Sequence, residues 1–263
     1  MEATNGNTGR QPAPKTVILT PVKDAERYLD RYVGNIEALD YPRESLSIGF
    51  LESDSRDQTL ATLHRLVPRL EERCCRVTVV KKNFGLTLPA SVPRWTPSLQ
   101  IMRRSVLAKA RNHLLFRALR DEDWVLWLDV DVVSYPRDLI QRLLAFNRDI
   151  LHPHCVLEPG GKTFDRNGWA DHGHKLLENF RGKGEPVALD AVGASVLLVR
   201  ADRHRDGLIF PPFPYGRAST AMRPLHPVWD SGEIESEGFG LLALDMGYQC
   251  WGLADLEVVH APE

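Results

Sequence analysis

The 263-residue chain has no apolar run approaching the eighteen or so residues that a membrane-spanning helix needs, so no span is expected in it. Cysteine is scarce. Cys74 and Cys75 are adjacent, Cys155 and Cys250 stand alone, and no C-x-x-C spacing exists, which excludes the common zinc and dithiol motifs and points to free thiols in a reducing compartment. A surplus of one charge is also missing: 33 Lys and Arg face 35 Asp and Glu, leaving a formal charge of -2 and no global field for nucleic acid or an anionic membrane. The only basic concentration is the local cluster Arg103, Arg104, Lys109 and Arg111. The opening Met1-Glu2-Ala3-Thr4-Asn5-Gly6 has neither the basic nor the apolar region of a signal peptide, so the chain as given reads as cytoplasmic. No internal repeat or low-complexity linker divides it, and one domain over 15–263 behind a disordered tail at 1–14 is the economical expectation.

What is present is enough apolar residue, 43% of the chain, for a sizeable core. The order of patterns predicts alternating strands and helices. Strands are expected at 15–21, 46–51 and 77–80, helices at 25–39 and 59–74, and a further helix at 105–119 leads into a central strand. That alternation predicts an α/β fold with a mostly parallel, Rossmann-like sheet whose ligands bind at the carboxyl ends of its strands. Between 83 and 102 the sequence reads as a long irregular stretch with Pro89, Pro93, Pro97 and Trp95. Later segments predict helices at 137–147, 174–180 and 237–246, and strands at 149–151, on both sides of Gly193 within 187–199, at 250–253 and at 256–260. A Pro- and aromatic-rich loop is expected within 211–230.

The central strand carries the strongest chemical signal. Trp124-Val125-Leu126-Trp127-Leu128 is apolar throughout and runs into Asp129-Val130-Asp131-Val132-Val133. On one continuous strand, alternation would turn Asp129 and Asp131 the same way, where the strand leaves the sheet. Two carboxylates there are costly to bury without a counter-charge, and a hard divalent cation, Mg²⁺ or Mn²⁺, would supply it and neutralise a leaving diphosphate. A solvated strand end with one Asp capping the next helix is the plainer alternative.

Other candidates follow the same logic. Glu52 and Asp54 close the second strand, where acidic groups accept hydrogen bonds from ribose hydroxyls or a base, or simply cap the next helix. Arg103, Arg104 and Arg111 could reach phosphates with planar forks. His260 ends the last strand and could complete a metal shell. Glu235 and Glu237 open an apolar helix, where they would orient an acceptor hydroxyl or favour the helix N-terminus. Asp190 and Gly193 lie where a strand pair would meet a sugar, and Gly193 would let the backbone approach closely.

Taken together, the chain resembles a nucleotide-sugar glycosyltransferase of the GT-A type, and specifically the fungal Golgi mannosyltransferase family of the mannan polymerase complexes. The resemblance rests on Val17 to Pro21, Ala108-Lys109-Ala110-Arg111-Asn112, Trp124 to Val133, Phe164-Asp165-Arg166-Asn167-Gly168-Trp169, Asp190-Ala191-Val192-Gly193, Phe210-Pro211-Pro212-Phe213, Glu235-Ser236-Glu237-Gly238-Phe239-Gly240 and His260. It implies GDP-mannose as donor, Mn²⁺ held by Asp129, Asp131 and His260, and an α-mannoside formed with retention. It further implies a nucleotide-binding half over about 15–133 and an acceptor and sugar half over 134–263. Thr20, Pro21 and Glu52 or Asp54 would line the nucleoside, Arg111 would lie near the nucleotide, and Glu235 or Glu237 would face the acceptor or the reacting sugar. A glycan or other hydroxyl compound is the implied acceptor, and the Golgi lumen is the implied site for a chain shorn of an anchor. Two other readings stay open: an inverting GT-A enzyme using a UDP-sugar, and a non-catalytic GT-A subunit that scaffolds an active partner. Self-association and assembly with other chains are both compatible with the sequence.

Overall fold

The computed structural model describes residues 12–87, 96–184, 186–216 and 232–262. Pro89, Pro93, Trp95, most of the anticipated tail and most of the 211–230 loop lie outside these residues. In chain order the elements are β1 (Thr16–Val22), α1 (Glu26–Glu37), β2 (Leu46–Glu52), α2 (Thr59–Arg73), β3 (Arg76–Lys81), α3 (Pro97–Ala118), β4 (Trp124–Leu128), β5 (Val132–Ser134) and α4 (Leu139–Ala145). They continue with β6 (Ile150–Val156), β7 (Trp169–Ala170), β8 (Lys175–Leu176), β9 (Val187–Leu189), β10 (Val196–Arg200), α5 (Ala201–Arg205), α6 (Glu235–Asp245) and β11 (Cys250–His260).

The main sheet runs β3-β2-β1-β4-β10-β6-β11-β5, with β9 also on β11. Its first four strands are parallel, and those consecutive in the chain are joined through a helix, as parallel crossovers require. Strand β10 then enters antiparallel between β4 and β6, so the sheet is mixed rather than continuing as a parallel array. Strand alternation divides the core by face. Ile18, Ile48, Leu126 and Leu128 pack with Leu29, Val33 and Ile36 of α1 and Leu66 of α2, while Val17, Leu19, Val125 and Trp127 pack with Leu114 and Leu115 of α3. Each of these side chains is essentially removed from water, about 2 kcal/mol apiece on transfer.

Several expected boundaries move. Helix α3 starts at Pro97 instead of 105, because proline suits the first helical turn, where no N–H is needed. The 174–180 helix resolves into strand β8 and a 3-10 turn over Leu177–Phe180. The two closing strands are one, β11, with a register shift between Leu253 and Glu257. The expected continuous strand through Asp131 ends at Leu128. Residues 129–131 form a turn closed by Val132 N–H donating to Asp129 O at 3.1 Å, and β5 leaves to pair with β11. Among the described residues no helix is long and apolar enough to cross a membrane, and all four cysteines are unpaired thiols.

Candidate active site

Three elements meet at the carboxyl end of β4. The first is the turn after β4, which carries Asp129 and Asp131. The second is the end of β11, which carries His260. The third is the N-terminus of α6, braced by α3. Because the strand ends before the turn, alternation does not aim the two aspartates; their partners do. Asp129 Oδ1 accepts from Arg111 Nη2 at 2.9 Å, and Asp131 Oδ1 stands 3.1 Å from His260 Nε2. Like-charged carboxylates repel, and the two are turned to different basic side chains.

Arg111 organises the centre. It is fully buried, sits over the Trp127 and Phe210 rings at 5.6 and 5.4 Å, and donates from Nε to Glu235 Oε1 at 2.8 Å. One guanidinium thus fixes Asp129 and Glu235 together, the forked geometry that Lys could not supply. About two turns earlier on α3, Arg104 pairs with Glu237 Oε2 at 2.7 Å and donates to Ile234 O. Trp169 Nε1 donates to Glu237 Oε1 at 3.0 Å, so both Glu237 oxygens are committed to the protein. Asn112 clasps the Phe210 backbone in both directions, at 2.7 and 2.9 Å, and Pro211 O then accepts the Glu235 N–H at 3.0 Å.

Glu235 has a left-handed backbone, φ 61°, at the first turn of α6. A non-glycine residue held there costs about 1 kcal/mol or more, and such strain concentrates at functional sites. The helix itself is seated through Gly240, where a Cβ would stand 2.6 Å from Ala191 Cα. Glu233, fully buried just before the helix, is pushed up to about 9, by burial first and then by Glu237. Burial likewise pushes Asp129 up to about 7, with Asp131 and Glu235 adding to the rise and Arg111 and His260 opposing it. Burial alone would lower His260, but the Asp131 contact raises it.

The expected three-ligand cage of Asp129, Asp131 and His260 is not drawn together: among the described residues no three His, Cys, Asp or Glu converge as a finished metal shell. Asp131 and His260 meet, while Asp129 is turned to Arg111. The donor set still fits a hard divalent cation. His260 Nδ1 donates to Ala261 O at 2.6 Å, which turns Nε2, the nitrogen that could ligate, towards Asp131.

The nucleoside-side candidates behave differently. Thr20 is fully buried and its hydroxyl binds Leu128 O at 2.8 Å and the Tyr32 hydroxyl at 2.5 Å, so it supports the end of β4 from within. Pro21 is half-buried at the end of β1. Glu52 is fully buried, paired with Lys81, and accepts the Ser55 N–H at 3.0 Å. Asp54 accepts the Phe84 and Gly85 N–H groups at 2.9 and 3.1 Å and caps the turn after β3. Asp190 accepts the His172 N–H at 3.0 Å, and Gly193 lies against Asp165, whose Oδ2 would be 2.1 Å from a Cβ there. Arg104 was expected to reach a phosphate and is instead paired with Glu237; Trp169 was legible only as part of the motif that carries the resemblance, and Glu233 was not singled out. The spacing of seven between Arg104 and Arg111 on one helix was the signal that the two act together.

The fold is that of a GT-A glycosyltransferase. A mannosyltransferase of Pyrobaculum calidifontis, solved in complex with GDP-Man and Mn²⁺, superposes with a TM-score of 0.57 at 15% identity, over 96% of this chain and 60% of that one. TarS of S. aureus superposes with a TM-score of 0.53 at 17% identity, over 94% of this chain and 60% of that one. At such identities the likeness speaks to the fold alone. The chain belongs to the Anp1 family, whose model matches residues 1–180. Relatives include the mannan polymerase complex subunit mnn9 of Schizosaccharomyces pombe, 32% identical over 95% of this chain and 80% of its own length. The mannan polymerase II complex ANP1 subunit of Saccharomyces cerevisiae is 24% identical over 97% of this chain and 56% of its own length.

Proposed function

We propose that the chain is a metal-dependent glycosyltransferase that moves mannose from GDP-mannose to a hydroxyl acceptor with retention, giving an α-mannoside. The observation that carries the reading is the meeting of Asp131 and His260 from two separate strand ends, beside Asp129. The names of the relatives and the mannose donor in the archaeal structure support the choice of sugar. Asp129, Asp131 and His260 would hold Mn²⁺ or Mg²⁺, which when bound neutralises charge on a departing diphosphate.

The chain's own residues do the remainder. Arg111 holds Asp129 and Glu235 in fixed register through one Glu235 oxygen, and in this reading the other would orient an acceptor or sugar hydroxyl. Glu237, Arg104 and Trp169 brace that carboxylate's helix. Thr20, Pro21, Glu52 and Asp54 shape the nucleoside edge through backbone and turn geometry, and Asp190 and Gly193 line the sugar side. Retention is read as front-face attack, in which the acceptor oxygen bonds to the sugar carbon as its bond to the diphosphate breaks and the leaving diphosphate accepts the acceptor proton. The relatives' names as complex subunits support work within an assembly, in the Golgi as the family resemblance implies.

The test is GDP release and product anomer for the purified chain given GDP-mannose and a mannoside acceptor, with and without Mn²⁺. Metal-dependent α-mannoside carries the proposal. Preference for a UDP-sugar with inversion would replace it, and donor binding without turnover in any acceptor would assign the chain to scaffolding.

A further inference from the structure

We propose that Phe164 and Asp165 are positioning residues that align the two arms of the cation site, an inference that rests on the metal-dependent reading above. Adjacent in sequence, they reach opposite arms. The Phe164 ring lies on the His260 imidazole with centroids 4.2 Å apart and planes 31° from parallel. The imidazole thus has its plane set by the phenyl face and its tautomer set by the Ala261 carbonyl.

Asp165 reaches the other arm through the backbone. Its buried carboxylate accepts the Ser195 N–H at 3.1 Å and the Ser195 hydroxyl at 2.7 Å from one oxygen, and the Asn167 N–H at 3.3 Å on the other. The Ser195 carbonyl in turn accepts the Asp129 N–H at 2.8 Å. This chain of bonds ties the turn that carries Asp129 to the loop that carries Asp165. The approach is so close that only glycine fits at position 193, where a Cβ would overlap the Asp165 carboxylate. Phe164 itself is anchored by its N–H donating to Cys155 O of β6 at 2.8 Å, so one rigid strand end references both arms. Outer groups of this kind orient ligands without touching the ion, and their loss weakens metal affinity.

Mn²⁺ binding, followed by calorimetry and by the loss of the free-ion paramagnetic resonance signal, tests the proposal on the purified full chain. Asp165→Ala is expected to weaken binding about 10- to 100-fold, with Asp165→Asn recovering most of it because one oxygen still accepts from Ser195. Phe164→Leu and Ser195→Ala, which leave the fold's volume and backbone bonds largely intact, are each expected to weaken it several-fold, and they carry the test if Asp165→Ala does not fold. Leu66→Ala, a cavity in the α2 core, should lower the melting temperature and leave Mn²⁺ affinity unchanged. In the metal-free protein, Phe164→Leu should also shift the His260 ring proton resonances as the phenyl shielding is lost. Wild-type affinity in Phe164→Leu and Asp165→Ala, unmoved His260 resonances, or an equal loss in Leu66→Ala would overturn the inference. Absence of Mn²⁺ binding by the wild type would overturn the metal-dependent reading and this inference with it.

Discussion

Two groups of carboxylates close the strands of this sheet, and they are treated in opposite ways. At the end of β2, each acid has its own internal partner: Glu52 has Lys81, and Asp54 has the N–H groups of the turn after β3. The carboxyl of Asp54 is accordingly held below its ordinary range; burial opposes this, but the hydrogen bonds from Phe84, Gly85 and Leu86 prevail. At the ends of β4 and β11 and the start of α6, five carboxylates share Arg104, Arg111 and His260, and Asp129 and Glu233 are driven up to about 7 and about 9. The difference teaches that the acids of the first group are used to build turns, while those of the second are gathered around buried arginines at the end of the sheet, where the proposed cation and substrate would bind.

The sharpest way to break this contrast is to remove a carboxylate from the second group. Asp131→Ala should reduce Mn²⁺-dependent GDP release about a thousandfold, the effect of several kcal/mol of lost charge stabilisation, while the melting temperature changes little. Retained turnover would place the chemistry elsewhere. Next is Arg111→Met, which strands Asp129 and Glu235 without their shared cation. A loss of about 3–5 kcal/mol in urea unfolding is expected, because removing one partner leaves buried charge uncompensated.

A third effect is a pH dependence. Glu233 binds its proton more tightly folded than unfolded, so its contribution favours the folded state least at high pH: stability falls as pH rises from about 4.5 towards 9, where the unfolded carboxylate is ionised and the folded one is not. Glu233→Gln should flatten that slope and make the protein more stable than the wild type at pH 9, measured from urea midpoints at pH 5, 7 and 9. A slope unchanged by the substitution would remove Glu233 from the shared-charge group. The smallest effect belongs to the first group. Asp54→Asn keeps a residue that tolerates the left-handed φ of 54° but weakens the acceptor, and should cost about 1 kcal/mol with turnover per folded molecule intact. Because the Asp54 carboxyl is held low, the wild type's advantage is present at neutral pH and lost as pH falls through the folded value. A large loss of turnover in Asp54→Asn would erase the distinction between the two groups.

Much of this was legible in the residues. The apolar runs of β1, β2 and β4 and the amphipathic α1 and α2 announced themselves by period, since burial on one or both faces leaves a local pattern. Asp129, Asp131 and His260 were legible as strand-end groups. The bracing of Glu237 by Arg104 and Trp169 was not, because its partners come from 133 and 68 residues away and no local period encodes such a meeting. The antiparallel entry of β10 was hidden for the same reason: its apolar run reads alike in either direction.

By itself, then, the sequence determined which segments are buried, that acids stand at strand ends, and which family the motifs resemble, because side-chain chemistry and short-range period are local properties. Only the tertiary structure decided that Glu52 and Asp54 are internally satisfied, that Asp129 and Glu235 share one guanidinium, and that Asp131 and His260 face each other across 3.1 Å. The physical reason is that a charge is defined by its neighbours in space, and those neighbours are chosen by how the strands order and the helices pack.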